Sequence, residues 1–193
     1  MNIKFENKLI KTTAIILAIS LAFSGLGYFY FSSRQHVQIY EFDYQRDTPF
    51  VKELFKNDWY WLVAGIADTY DSVADNYVNN MLISRSSSSQ KKPLTLKVAY
   101  KDNKPVGFLA YFVKKFYLGK ILFVDVLPEY RSQGWGATLM KIAMADLIKQ
   151  GVSQIELVTR TNNDAAQKLY KNLGFIKEGN DDEFVNFIYQ VTR

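Results

Sequence analysis

Val126-Leu127-Pro128-Glu129-Tyr130-Arg131-Ser132-Gln133-Gly134-Trp135-Gly136 joins an apolar run, Ile121 to Val126 (ILFVDV), to a helical pattern over 137–149 (ATLMKIAMADLIK). The run predicts a central strand, which Pro128 ends. Leu139, Met140, Ala143, Met144, Leu147 and Ile148 recur on one side of the helix. A short strand-to-helix loop with two glycines points consecutive main-chain N–H groups outward, and the helix adds the positive end of its dipole. In physical terms this is a cradle for a diphosphate. Glycine at 134 and 136 lets phosphates approach the backbone, and Arg131 offers a charge-assisted contact. The loop is not the dinucleotide fingerprint, whose third glycine would stand where Leu139 does, nor a Gly-Lys-Ser/Thr phosphate loop. Taken alone, it is also compatible with a tight turn that binds nothing.

Working outward, the periodicities alternate between two and 3.6. Val37 to Phe42 predicts a first strand. Asp47 or Thr48 caps a helix with Pro49 in its first turn, and Phe50, Val51, Leu54 and Phe55 follow at helical spacing. Trp59, Tyr60, Trp61 and Leu62 read as core or as one wall of a pocket. A second helix runs from Ala67 to Ile83, and Ser84 to Lys92 (SRSSSSQKK) is a polar loop. Leu94 to Tyr100 and Val106 to Lys114 form a hairpin around Lys101 to Lys104. After the central strand and its helix, Gln154 to Thr159 is a strand and Asp164 to Asn172 a helix closed by Gly174. Phe184 to Val191 is the last strand. Strands alternating with helices predict an α/β layer architecture.

Composition narrows the chemistry. The 193 residues are 48% hydrophobic and 22% charged, which is globular. Cysteine is absent, which removes disulfides, thiolate ligands and a cysteine nucleophile, and His36 as the one histidine leaves little room for a Ser-His-Asp arrangement or a metal site; no metal site is expected. The net charge of +5 is mild, without the dense Lys/Arg stripe that phosphate tracking needs, so no nucleic acid is expected.

The N-terminal residues 1–33 read as a separate unit, a basic flank and a span, ahead of a domain over 34–193. Residues 12–31 (TTAIILAISLAFSGLGYFYF) carry no charge. At about 1.5 Å per residue such a helix spans about 30 Å, enough to cross the lipid bilayer once. Tyr28 to Phe31 suit an interfacial aromatic belt. A cleaved signal peptide is the competing reading, although no clear small-x-small site precedes the aromatics. Lys4, Lys8 and Lys11 favour an inside N-terminus. A cytosolic ligand would favour a cytoplasmic-facing domain instead, so the side stays open.

A second motif lies downstream: Asn163-x-x-Ala166-x-x-Leu169-Tyr170-x-x-x-Gly174-Phe175. With Arg131, Gly134 and Gly136 it resembles the GNAT superfamily of acetyl-CoA-dependent N-acetyltransferases over roughly 121–175. The resemblance implies a mixed, mostly antiparallel central sheet flanked by helices and splayed between the strands at 121–126 and 154–159. It implies acetyl-CoA as cosubstrate. Backbone groups at Val126 and Leu127 would pair with the pantetheine arm, and Arg131, Ser132, Gln133, Gly134, Trp135, Gly136 and Ala137 would hold the diphosphate. Tyr170 would protonate the departing thiolate, or else pack in the core. Asn163 would bond the cofactor or cap its helix.

An amine acceptor of unspecified class must shed a proton before it attacks. Asp125 is the candidate base, Glu156 the alternative, and Lys120 stands where some family members carry a glutamate. Direct attack in a ternary complex follows from the missing nucleophile. The other reading is a non-catalytic acyl-CoA-binding or protein-interaction module on the membrane.

Overall fold

The computed structural model describes residues 37–63, 69–87 and 91–192. The anchor at 12–31, the boundary at 33/34, the start of the second helix at Ala67 and the middle of the serine loop lie outside the described residues.

Seven strands form one sheet in the order β1-β2-β3-β4-β5-β7-β6. They are β1 (Val37–Glu41), β2 (Thr95–Lys101), β3 (Lys104–Lys115), β4 (Leu118–Val126), β5 (Gln154–Arg160), β6 (Ile176–Asn180) and β7 (Phe184–Gln190). Only β4 and β5 pair in parallel; every other neighbouring pair is antiparallel. Helices α1 (Tyr44–Leu62) and α2 (Ser72–Ser84) precede β2, α3 (Trp135–Lys149) joins β4 to β5, and α4 (Asp164–Asn172) joins β5 to β6.

The helices cover opposite faces of the sheet. On one, Phe55 of α1 meets Phe123 of β4 edge-on at 5.0 Å and Phe108 of β3 at 6.0 Å, with Met81 and Leu82 of α2 in the same cluster. On the other, Leu139, Met140 and Leu147 of α3 pack with Tyr111, Ile121, Ile155 and Phe187, and Tyr170 of α4 joins them. Side chains alternate across a strand, so Phe108 and Leu109 are both buried but belong to different clusters.

Two helix starts differ from the sequence reading and one strand was missed: residues 69–71, read as part of the second helix, are not helical, and α2 begins at Ser72, capped by Asp71. Helix α1 begins four or five residues early, because Asp43 is its cap: the Asp43 carboxylate accepts from the Arg46 N–H at 2.8 Å. Asp47 instead lies buried inside the helix, accepting from the Asp43 N–H and from Arg46 and Tyr100. That network fastens the start of α1 to β2. The missed strand is β6, whose sequence IKEGN has little apolar alternation and whose residues are mostly exposed.

The feature that positions the site is a divergence. Strands β4 and β5 pair only at Leu118 with Gln154, Gly119 with Ile155, and Lys120 with Glu156. The register of β3 on β4 shifts between Ala110 and Tyr111, opposite Phe123 and Ile121. Such a bulge bends its strand. Beyond Ile121 the edge of β4 faces β5 without a ladder.

Candidate active site

A cavity of about 510 Å³ fills that gap. Its lining includes Asp58, Trp61 and Leu62 of α1, Val124 and Asp125 of β4, Val158 and Thr159 of β5, Gly134 and Gly136 of the loop and α3, and Leu169 and Tyr170 of α4. Because α1 lies on one face of the sheet and α3 and α4 on the other, the cavity passes between the two faces.

On the α3 side the walls are main chain. Gly134 has φ +89°, a left-handed conformation that disfavours any residue with a Cβ. A Cβ built there would meet nothing within 4 Å; it would project into open space over the loop. Ser132 is also left-handed, at φ +60°. Successive left- and right-handed residues turn N–H groups toward one concavity. None of the main-chain N–H groups from Ser132 to Ala137 finds an acceptor among the described residues. Gly136 has a different reason to lack a side chain: its Cβ would lie 3.3 Å from Leu169 Cδ2, so it permits α3 and α4 to approach.

On the β4 side the walls are carboxyl and phenol. The Asp125 Oδ1 accepts from the Val126 N–H at 2.8 Å and lies 3.3 Å from Arg131 Nη2. Its Oδ2 is buried without a hydrogen-bond partner. Burial first, then the neighbouring Asp58, push the Asp125 carboxyl up from 3.8 to about 7. The Tyr170 ring is packed edge-on against Phe187 at 5.7 Å and lies tilted against Phe175 at 6.2 Å. Burial and the Asp125 charge raise its phenol, so it stays protonated at neutral pH. A neutral phenol and a carboxyl poised near neutrality thus face one cavity. That is the arrangement proton transfer in two directions requires.

The sequence-predicted residues divide. Asp125, Val126, Arg131, Ser132, Gly134, Gly136, Ala137, Asn163 and Tyr170 line the cavity. Leu127, Gln133 and Trp135 do not. Leu127 gives its N–H to the Val106 carbonyl and packs on the α1 side, Gln133 bonds the Glu129 carbonyl, and Trp135 is buried in the core edge-on to Tyr130. The Trp135 main-chain N–H nonetheless finds no acceptor among the described residues. Val126 is also engaged, its N–H by Asp125 and its carbonyl by Arg131 Nε at 2.7 Å. Arg131 is turned inward rather than over the loop, with Nη2 2.7 Å from Asp58 Oδ2. Asn163 caps α4 by accepting from the Ala166 N–H at 3.2 Å. Glu156 lies on the paired end of β5, held by Lys114 at 2.7 Å and Lys120 at 3.4 Å, and contributes nothing to the cavity. Sequence reasoning missed Asp58. Its signal was a lone carboxylate directly ahead of Trp59-Tyr60-Trp61-Leu62, where α1 kinks (φ −116°, ψ 22°).

Residues 50–175 match the Acetyltransferase (GNAT) family. The chain belongs to that family. Among similar proteins, the "Thialysine N-epsilon-acetyltransferase" of Sus scrofa is 36% identical over 73 residues, 36% of this chain and 43% of that one. The "[Ribosomal protein bS18]-alanine N-acetyltransferase" of Escherichia coli is 40% identical over 52 residues, 27% of this chain and 35% of that one. The human "N-alpha-acetyltransferase 30" is 35% identical over 65 residues, 34% of this chain and 18% of that one. The match therefore spans less than half the length of each of these relatives. In fold, the chain superposes on an N-acetyltransferase from Thermoplasma acidophilum solved in complex with coenzyme A. The TM-score is 0.63 at 20% identity, covering 80% of this chain and 99% of that one. The α/β fold with its mixed seven-stranded sheet is thus shared with that structure. Among the described residues no helix is long and apolar enough to cross a membrane, and no cluster could hold a metal ion.

Proposed function

We propose that this GNAT-family chain transfers an acetyl group from acetyl-CoA to an amine by direct attack. The observation that carries the reading is the row of unpartnered N–H groups from Ser132 to Ala137, opening onto a cavity that reaches Asp125 and Tyr170. A diphosphate fits donors of that kind, and the Gly134 position leaves open space where it would approach. The unpaired edge of β4 at Leu122 and Val124 suits the amides of a pantetheine arm, since Val126 and Leu127 are already engaged.

Acetyl-CoA supplies an acyl thioester, already activated toward nucleophiles. The chain's own residues handle the protons. Asp125 accepts a proton from the acceptor's ammonium, which its value near 7 permits at neutral pH. Tyr170, protonated and buried beside it, donates to the departing sulfur. Loss of the ladder between β4 and β5 lets donor and acceptor meet through the sheet from opposite faces.

The relatives named above act, by their names, on a ribosomal protein's alanine and on a small amino acid, so a protein or a small-molecule amine is the acceptor range proposed. We retain residues 12–31 as a single bilayer anchor on their apolarity alone, with the side taken by the domain to be read from protease protection. Calorimetry with coenzyme A and release of free thiol from acetyl-CoA in the presence of amines test the assignment. A chain that ignores coenzyme A refutes it. Binding without thiol release for any amine supports the non-catalytic module instead.

A further inference from the structure

The acceptor side of the cavity already holds a cation. Arg131 Nη2 sits 2.7 Å from Asp58 Oδ2 and 3.3 Å from Asp125 Oδ1, so one guanidinium bridges two carboxyl groups from different elements. Both carboxyl side chains are about nine-tenths buried, at 11% exposure, whereas the guanidinium side chain is 43% exposed. The carboxyls are the fixed part of this bridge, and the arginine is the part solvent can reach. Two acids against one base leave the mouth net negative once Asp125 is ionised, and Asp125 Oδ2 still lacks a donor.

The same mouth has an apolar rim. Trp61 is 42% exposed and Val158, across the gap on β5, is 42% exposed. The rim is held rather than loose. Arg160 of β5 stacks its guanidinium 3.9 Å from the Tyr60 ring, bonds the Tyr60 carbonyl and pairs with Glu183 at 2.7 Å. These contacts tie the end of α1 to β5 and fix the distance between the acidic floor and the aromatic edge.

Resting on the acetyltransferase reading, we propose that Asp58 is the acceptor-docking carboxylate and that the chain takes amines with an apolar flank and no carboxylate beside the nitrogen. Free α-amino acids are disfavoured, and amides such as a peptide N-terminus are accepted. The amine arrives as an ammonium, displaces Arg131 Nη2 from the carboxyl pair, and yields its proton to Asp125. Tyr170 from α4 faces Asp125 as a neutral phenol, and Arg131 and Asp58 are the charged groups that face it from the loop and from α1. An α-carboxylate on the ligand would lie within a few ångströms of Asp58. Like charges at that range in a partly buried mouth oppose binding by about tenfold or more.

The test uses the full chain saturated with coenzyme A, at about pH 6.5, below the α-amino range so that both probes are ammonium ions, with phenylalaninamide and phenylalanine as probes and saturation-transfer NMR as the readout. Coenzyme A affinity is measured first, so that failure of the cofactor site is separated from failure of the docking assignment. The expected result is that phenylalaninamide binds about tenfold or more tightly than phenylalanine. Asp58→Asn reduces that preference to about threefold or less, while Asp58→Glu, which keeps the charge, keeps it. Both probes carry the same ammonium at this pH, so the change between variants reports the α-carboxylate alone. If Asp58→Asn no longer binds coenzyme A through misfolding, the Asp58→Glu variant and the salt dependence of the wild-type preference, which should shrink as salt rises, still decide. Equal binding of the two probes, a preference for phenylalanine, no binding of either to a coenzyme A-competent chain, or a preference unmoved by Asp58→Asn would each overturn the proposal.

Discussion

Asp125→Asn should make the protein more stable at pH 8 and nearly inactive, and the stability gain should vanish in acid. The reasoning is linkage. Asp125 is buried with Oδ2 unpartnered beside Asp58, so its carboxyl is carried from 3.8 to about 7 in the native chain. The unfolded chain therefore releases this proton first as pH rises. Stability contributed by the protonated form is complete below about pH 4 and is lost by the time pH passes 7. At roughly 1.4 kcal/mol per tenfold, an upper bound on that loss is roughly 4 kcal/mol. Relaxation of the site and water entry around the ionised carboxyl reduce the figure, so roughly 1–3 kcal/mol is expected. Asparagine keeps the volume and the bond to the Val126 N–H while removing the charge. Urea unfolding followed by tryptophan fluorescence, wild type against variant at pH 4, 6 and 8, measures the difference. Other titrating groups contribute equally to both proteins and cancel. The difference should widen from pH 4 to pH 8 while turnover falls by about a hundredfold or more. A difference that stays flat between pH 4 and pH 8 would refute the buried, uncompensated carboxyl on which the base assignment depends.

Gly134→Val should weaken coenzyme A binding by at least tenfold in calorimetry, because its Cβ projects over the unpartnered amides; the left-handed φ should also cost about 1–2 kcal/mol in unfolding experiments. Tyr170→Phe keeps the ring on Phe187 and Phe175, so steady-state kinetics should show kcat down by about a hundredfold with the KM for acetyl-CoA little changed, and equal loss in both would make Tyr170 structural. Asn163→Ala should lower stability by about 1 kcal/mol through the lost cap on Ala166, while Asn163→Asp restores it; coenzyme A affinity that follows the asparagine rather than the cap would assign it a ligand contact.

What the sequence made legible follows from which forces act locally. The loop at 131–137 could be read as a tight turn into a helix because its glycines and the helix that follows are consecutive in the chain. The central strand and the order of most other elements were readable from periodicity, since burial on a sheet face imposes alternation directly. Strand β6 was not, because it is an edge strand whose side chains are mostly in water, and its pairing with β7 is made by backbone alone. The cap of α1 was misplaced because Asp43 and Asp47 are both plausible caps by type. What separates them is that Asp47 reaches Tyr100, a residue far along the chain.

Asp58 shows the same limit from the functional side, and it sets where Arg131 points. As a loop arginine ahead of two glycines, Arg131 reads from sequence as a cation over the loop. Its direction is set by something the loop does not contain. The kink at Asp58 turns a carboxyl from α1 into the gap between β4 and β5, and the divergence of those strands leaves Asp125 reachable from the same side. Two buried acids then outcompete solvent for the guanidinium, and the Val126 carbonyl holds its Nε. The arginine thus bridges the α1 and β4 walls of the cavity rather than standing over the loop. Residues before and after the central strand meet there only because the sheet has parted.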